Sequence, residues 1–222
     1  MRAILVICDG MADKPLKELD WKTPLEVARK PSLNGIAEKG ICGIMDVISP
    51  GVPPGSDTAT LALLGYDVLK VYSGRGALEA IGSGIDVLPG DIAFRCNFAT
   101  VNEDLVVLDR RAGRIANEDA AKLAERLQRF KLEKPLKEFL FKSTIQHRAV
   151  LVIRGPRLST AVSDSDPEKA GKKVSKIKPL DASPEAKHTA KILNELMHKF
   201  QKVLKEHAVN KKRAKRGLPQ AN

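Results

Sequence analysis

The chain has 222 residues, of which 43% are hydrophobic, a composition that supports a folded core in one large domain or two small ones. Its three cysteines are widely spaced, which argues against a disulfide scaffold, and no apolar run approaches the length of a membrane span. The net charge of +11 is concentrated in residues 168–222, with 15 Lys and Arg against 5 Asp and Glu. Because only 4% of the residues are aromatic, we interpret this region as a solvated basic face. We expect a soluble cytoplasmic protein that binds neither nucleic acid nor membrane.

Two strands of a parallel sheet are the first elements that the sequence predicts. Residues 3–8 form a continuous aliphatic run, typical of a strand buried on both faces, and the run meets Asp9 at its end. After a helix start at Thr23 and a helix at 32–39, residues 43–48 give the second strand. Ligands collect at the carboxyl edge of such sheets, so Asp9 is a candidate ligand, although an ordinary turn also explains it.

Ser56 follows the second predicted strand, at the head of a short apolar helix over 57–64 that Gly65 ends. At this position, next to the N-cap, free backbone N–H groups and the helix dipole favour an anion. The hydroxyl is therefore a candidate nucleophile toward a phosphoryl group. Taken alone, an ordinary Ser N-cap is the simpler interpretation. The predicted position of Asp9 and Ser56 at one sheet edge favours a site.

The rest of the chain predicts alternating strands and helices with many arginines. The expected elements are a β-hairpin over 91–101 and 105–111, a helix at 117–130, strands at 139–143 and 149–153, and a helix at 183–208. Arginine is suited to bidentate contact with phosphate or carboxylate, although exposed arginines often serve only solvation. A turn at 163–167 carries Asp164 and Asp166, which suit a cation, hydroxyl groups or a simple Asx-turn.

A string of motifs in this sequence matches one family in order and spacing. The motifs are Asp9–Asp13, Thr23–Glu26, Pro54–Ala59, Leu63–Asp67, Gly74–Gly76, Phe94–Thr100, Asp109–Arg114, His147–Val150 and Ser163–Pro167. Through them the chain resembles the archaeal-type cofactor-independent phosphoglycerate mutases of the alkaline phosphatase superfamily, over essentially its whole length.

The resemblance implies an α/β fold and an enzyme that interconverts 2- and 3-phosphoglycerate through a phosphoserine intermediate. It implies residues 1–75 as part of a metal-binding core with an incomplete parallel sheet, 76–182 as an inserted α/β cap, and 183–222 as a basic helix and linker returning to the core. Two divalent metal ions are implied, Mn²⁺ by preference over Mg²⁺, Co²⁺ or Zn²⁺, with Asp9 and Ser56 as ligands and Ser56 as nucleophile. The implied substrate-binding residues are Arg75, Arg95, Arg110, Arg111, Arg114, His147, Asp164 and Asp166.

One departure from the family pattern is plain. The family completes its metal site with Asp-x-x-x-His and Asp-His ligands, and no Asp of this sequence has His at either spacing. We therefore expect an N-terminal half with little activity alone, which associates with a separate second half or forms a homo-oligomer. Another metal-dependent phosphatase or phosphotransferase of the superfamily, and a non-catalytic fragment that uses its basic last quarter for binding, are the alternatives.

Overall fold

The computed structural model describes residues 2–8, 10–130 and 138–222 and divides the chain into two units, 1–65 and 66–222. It confirms a mixed α/β chain. The elements in chain order are a 3₁₀ helix Lys17–Leu19, α1 Pro24–Val27, α2 Pro31–Lys39, α3 Ser56–Leu63, α4 Val68–Val71, α5 Arg75–Gly82, β1 Ile92–Asn97, β2 Thr100–Val101, β3 Val107–Asp109, α6 Asn117–Gln128, β4 Glu138–Ser143, β5 Arg148–Arg154, α7 Pro184–Glu206 and α8 Ala208–Lys215. Within the described ranges, no helix is both long and apolar enough to cross a lipid bilayer.

Short helices with local caps characterise the first unit. At the start of α1, the Thr23 hydroxyl accepts a hydrogen bond from the Glu26 N–H at 3.2 Å. The Glu26 carboxylate in turn accepts from the Thr23 N–H at 2.6 Å. This reciprocal capping box satisfies two N–H groups that a helix start otherwise leaves unpaired, and it confirms the predicted helix start.

The two predicted parallel strands are not formed, so this prediction is wrong for the structure. Residues 2–8 and 41–46 belong to no helix or strand, and Ile4, Ile41 and Ile44 are almost fully exposed. All ladders among the described residues are antiparallel and lie in the second unit. A strand needs a neighbour for its N–H and C=O groups, and the described part of the first unit supplies none. The aliphatic pattern indicates burial in a sheet, but the described part of the first unit does not provide the neighbouring strands that such burial requires.

An antiparallel three-stranded sheet, in the order β1-β5-β4, is the centre of the second unit. β5 lies in the middle, with Asn97 of β1 opposite its first residue, Arg148. The predicted hairpin is confirmed only where β2 pairs with β3. β1 instead pairs with β5, more than fifty residues away along the chain.

Helices cover both faces of this sheet. On one face, apolar residues of α6 and α7 pack with Phe139, Phe141 and Leu151. On the other face, Ala80 of α5 packs with Val150 and Val152. Alternate residues of β5 thus enter two cores, as expected of a central strand. The predicted helices are confirmed as α6 and α7, and the Ser183 hydroxyl caps α7 by accepting from the Ala186 N–H at 3.1 Å.

The second unit ends with α8 and a short tail, and the sequence analysis did not predict this helix. Asn210 is fully buried, and its amide exchanges hydrogen bonds with the backbone of Ala221 at 2.7 and 2.8 Å. Arg213 is also buried and donates to the carbonyls of Pro219 and Ala112, both at 2.9 Å. These contacts fix residues 210–222 against the loop that follows β3.

Candidate functional site

Ser56 is the first residue of α3, and Gly55 is the N-cap. The cap of this helix is built by Thr58, whose hydroxyl accepts from the Gly55 N–H at 2.9 Å. The Ser56 side chain is exposed and makes no hydrogen bond within the described ranges, so it does not serve as the cap. The hydroxyl is therefore available at the positive end of the helix dipole, where a negatively charged group is favoured.

The other core residue of the predicted site, Asp9, lies outside the described residues. Its predicted position beside Ser56 stays a prediction. Within the described ranges, no group of three or more His, Cys, Asp or Glu side chains is placed to hold a metal ion. A divalent cation needs a larger set of protein ligands than one serine hydroxyl, so the described residues do not form a complete metal centre.

A strongly cationic pocket of about 340 Å³ lies entirely in the second unit. It is lined by five arginines and one histidine, together with two amide side chains and one isoleucine: Arg95, Asn97, Arg110, Arg111, Arg114, Ile145, Gln146, His147 and Arg148. Three segments build it, namely β1, the loop after β3 and the turn between β4 and β5. The structure thus brings together five of the eight residues predicted to bind substrate, which lie far apart in the sequence.

Asp109 shapes the loop that carries three of these arginines. Its carboxylate accepts hydrogen bonds from the backbone N–H groups of Arg111 and Gly113, both at 2.8 Å. The backbone at Ala112, Gly113 and Arg114 is left-handed, with φ between 45° and 61°. Non-glycine residues adopt this conformation only when other contacts hold them there. The loop is therefore preorganised by Asp109 on one side and by Arg213, through the Ala112 carbonyl, on the other.

We expect the substitution Asp109→Asn to loosen this loop. The amide has one acceptor oxygen instead of two and directs N–H groups at a backbone donor. The free energy of unfolding should fall by about 1–3 kcal/mol. Urea denaturation measures the loss, with the exposed Asp104→Asn as the control, because the Asp104 carboxylate accepts no hydrogen bond within the described ranges. Equal stability of the two variants would contradict the role given to Asp109.

His147 lies in the β4–β5 turn and lines the same pocket as the arginines. Its carbonyl accepts from the Phe98 N–H at 2.6 Å, which fastens the turn to the end of β1. Its Nδ1 is buried without a hydrogen-bond partner among the described residues. Burial, and then the charges of Arg148, Arg111, Arg95 and Arg114, hold the pKa of His147 below its usual value. Neutral His147 is therefore the favoured form near pH 7, until an anion offsets the surrounding positive charge.

Two of the pocket arginines are oriented by carboxylates. Arg110 donates to both oxygens of Asp166, at 2.8 and 3.3 Å, in a bidentate pair. Burial disfavours the charged form of Asp166, but the hydrogen bonds from Arg110 and the Glu168 N–H hold its pKa below the usual value. Arg95 Nε lies 3.1 Å from Glu79 Oε1, without the geometry of a hydrogen bond.

The remaining predicted residues are placed differently. Arg75 is exposed at the start of α5, and Asp164 is exposed on its turn; neither lines the pocket. Asp166 does not line the pocket itself but pairs with Arg110, which does. The sequence analysis did not propose Arg148 and Asn97, which line the pocket as a cross-strand pair. In the sequence, the polar turn beside His147 was the only local feature that could have pointed to a role for Arg148 and Asn97 in the site.

The protein therefore has a mixed α/β fold, and its arginine-lined pocket is suited to a small anionic ligand. Residues 37–210 match the family model described as 2,3-bisphosphoglycerate-independent phosphoglycerate mutase. A curated relative of that name from Methanopyrus kandleri is 54% identical over the whole chain, which covers 53% of that relative. A similarly named relative from Methanothermobacter thermautotrophicus is 50% identical, with 54% of it covered.

A solved structure agrees with these relatives. The cofactor-independent phosphoglycerate mutase from Thermoplasma acidophilum superposes with a TM-score of 0.63 at 43% identity, covering 96% of this chain and 55% of that one. The chain therefore belongs to the 2,3-bisphosphoglycerate-independent phosphoglycerate mutase family. It spans about half the length of the curated relatives that it matches.

Proposed function

We propose that this chain is the part of a phosphoglycerate mutase that holds the glycerate substrate and supplies the phosphoryl-accepting serine. The observation that carries the proposal is the convergence of five arginines and His147 on one pocket in a member of this family. A phosphoglycerate carries a phosphate and a carboxylate, and separate arginines suit the two groups. Retention of both groups is what a mutase requires while the phosphoryl group changes position.

In this proposal Ser56 transiently carries the phosphoryl group. The exposed hydroxyl at the positive end of the α3 dipole supports that role, since the same helix end stabilises the charge that develops. Asp9 and Ser56 are proposed as the contribution of this chain to a site for two divalent ions, Mn²⁺ by preference. Such ions would offset phosphate charge. The other ligands are proposed to come from a segment outside these 222 residues.

The proposed division of labour assigns residues 1–75 to the metal-binding core of an alkaline-phosphatase-like fold and 76–182 to the cap. The basic segment 183–222 is proposed to lead back toward the core. The confinement of the arginine pocket to residues after Gly65 supports a separate substrate-holding part. The pocket is therefore expected to bind substrate even where the chain alone has little or no turnover.

A titration of the 222-residue chain with 3-phosphoglycerate tests the substrate assignment. We expect the pKa of His147 to rise on binding, because the anion offsets the arginine charges that hold it low. Nuclear magnetic resonance of the imidazole measures this change. The variant Arg111→Gln/Arg114→Gln should bind roughly tenfold more weakly or worse.

The matched control is Arg157→Gln/Lys169→Gln, which removes the same charge from exposed positions outside the pocket. Equal affinities of the two double variants would contradict the assignment.

The reaction itself is distinguished by its product. In the presence of Mn²⁺, an active polypeptide containing this chain should convert 3-phosphoglycerate to 2-phosphoglycerate. Release of free phosphate instead would identify a phosphatase of the same superfamily. For the isolated 222-residue chain, substantial turnover would contradict the proposal that further ligands are required.

A further inference from the structure

We propose that the groove between α6 and α8 is a second anion site, which binds a small ligand bearing a chain of phosphate groups. The groove encloses about 450 Å³, within the range typical of small-ligand sites. It lies in the second unit and shares no lining residue with the arginine pocket. This inference does not depend on the proposed mutase function.

Positive charge in the groove exceeds what its carboxylates neutralise. Two of its arginines have acidic partners, since Arg129 pairs with Glu125 and Arg213 lies 3.7 Å from Asp119. Four further cations have no carboxylate within ion-pairing distance in the described part of the chain: Lys122, Arg126, Lys212 and Arg216. Like charges gathered at one groove repel one another, so an anion that bridges both helices would relieve that repulsion.

Buried contacts hold the α8 wall of the groove in place. Arg213 anchors α8 through its bonds to the carbonyls of Pro219 and Ala112, and Asn210 bonds to Ala221. On α6, the Arg126 guanidinium stacks over the Phe130 ring, 5.5 Å from its centroid. The anchored backbone of α8 and the helix α6 therefore bring cations from two elements to one groove.

The size and lining of the groove favour a short polyphosphate. Four cations on two helices match several linked phosphates better than a single one. Among the described residues, the imidazole of His207 is the only aromatic ring that lines the groove, which leaves single-stranded nucleic acid little surface on which to stack its bases. The ligand class that remains is an inorganic polyphosphate or the phosphate chain of a small molecule.

His207 provides a natural reporter in the groove. Its Nδ1 accepts from the Val209 N–H at 3.2 Å, which fixes the ring at the start of α8. Burial, and then the charge of Arg126, holds its pKa below the usual value. The sequence has only four histidines, and His147 reports independently on the arginine pocket. Binding at the two pockets can therefore be followed separately in one spectrum.

The test is a titration of the whole chain with inorganic tripolyphosphate, followed at the His207 ring signals. We expect saturable shifts at His207. In Lys212→Gln/Arg216→Gln, the affinity detected there should fall about tenfold or more, while that detected at His147 changes less than about twofold.

The control Lys187→Gln/Lys191→Gln removes the same charge from exposed positions on α7 and should bind like the parent. Unshifted His207 signals, or equal losses in both double variants, would overturn the proposal. It would also be overturned if a single-stranded RNA oligomer bound at His207 more tightly than tripolyphosphate.

Discussion

Replacing Gly76 with alanine is expected to lower the free energy of unfolding of the second unit by about 3 kcal/mol or more. A Cβ at this position would lie 1.9 Å from the Ala93 carbonyl oxygen and 2.4 Å from its carbon. Both atoms belong to the backbone of β1, which is held by its ladder with β5, so they cannot rotate away as a side chain would. Relief therefore requires α5 to separate from the sheet.

Two opposing effects act at Gly76, and their relative sizes decide whether the substitution raises or lowers the free energy of unfolding. Alanine is the better helix former by about 1 kcal/mol. The clash with a strand backbone exceeds that gain, because a contact below 2 Å cannot be accommodated by small shifts in a close-packed interior.

Thermal unfolding should show a midpoint lower by roughly 6–12 °C for a unit of this size. Gly82→Ala in the same helix is the control, since its Cβ would have no atom of a described residue within 4 Å beyond its immediate surroundings in the chain. That variant should be neutral or slightly more stable, and similar midpoints for the two variants would contradict the packing described here.

The local sequence pattern was sufficient to predict those helices and strands that pack against other elements of the second unit. The amphipathic stripe of α7 and its Ser183 cap predicted a long helix that the structure has as Pro184–Glu206. β4 and β5 were predicted within a residue or two of their bounds. In these segments the apolar face, the cap and the packing partners all favour the same structure.

α8 shows where the pattern carries too little information. Its sequence reads as a run of charge around Lys211, Lys212 and Arg213, with no apolar stripe. The helix is held instead by the buried polar side chains of Asn210 and Arg213, whose partners lie on a distant loop and on the last residues. Such satisfaction of buried polar groups depends on tertiary structure and has no local period.

The sequence predicted that arginines would form a pocket, but it did not predict every residue that lines it. Resemblance to the family selected Arg95, Arg111 and Arg114, which the structure brings together. Arg148 was missed because its place depends on the pairing of Asn97 with Arg148 across two strands. Register between strands so far apart in the sequence is set by the fold. Arg75 and Asp164 were selected by motif alone and lie outside the pocket.

Substitution of Ser56 by alanine is expected to abolish phosphoryl transfer, with a fall in kcat of about 1,000-fold or more. The polypeptide for this test joins the 222 residues to the second half of the Methanopyrus kandleri relative and is first shown to convert 3-phosphoglycerate to 2-phosphoglycerate. The hydroxyl that remains in the first turn of α3 is that of Thr58, which is engaged in hydrogen bonds with the backbone of Gly55. The loss should lie in kcat, since the substitution leaves unchanged the arginine pocket that we propose to hold the glycerate.

Thr60→Ala is the matched control, because it removes a hydroxyl from the same helix. The Thr60 hydroxyl donates to the Ser56 carbonyl at 2.7 Å, so its loss affects a backbone contact next to the proposed nucleophile. This variant should retain activity within about threefold, the effect of one hydrogen bond between neutral groups. Phosphopeptide mass spectrometry after rapid quenching should find phosphate on Ser56 in the parent and in the control variant.

The two proposed parts of the site can fail independently. If Ser56→Ala keeps the activity of the parent, the nucleophile lies elsewhere, and the exposed hydroxyl at the start of α3 is only a surface group. Binding of 3-phosphoglycerate at His147 would still support the arginine pocket in that case. If activity falls and binding persists, the two effects separate capture of the anion from transfer of its phosphoryl group. We expect this second outcome, because the exposed Ser56 hydroxyl lies at the start of α3 whereas the arginines of the pocket lie on other elements.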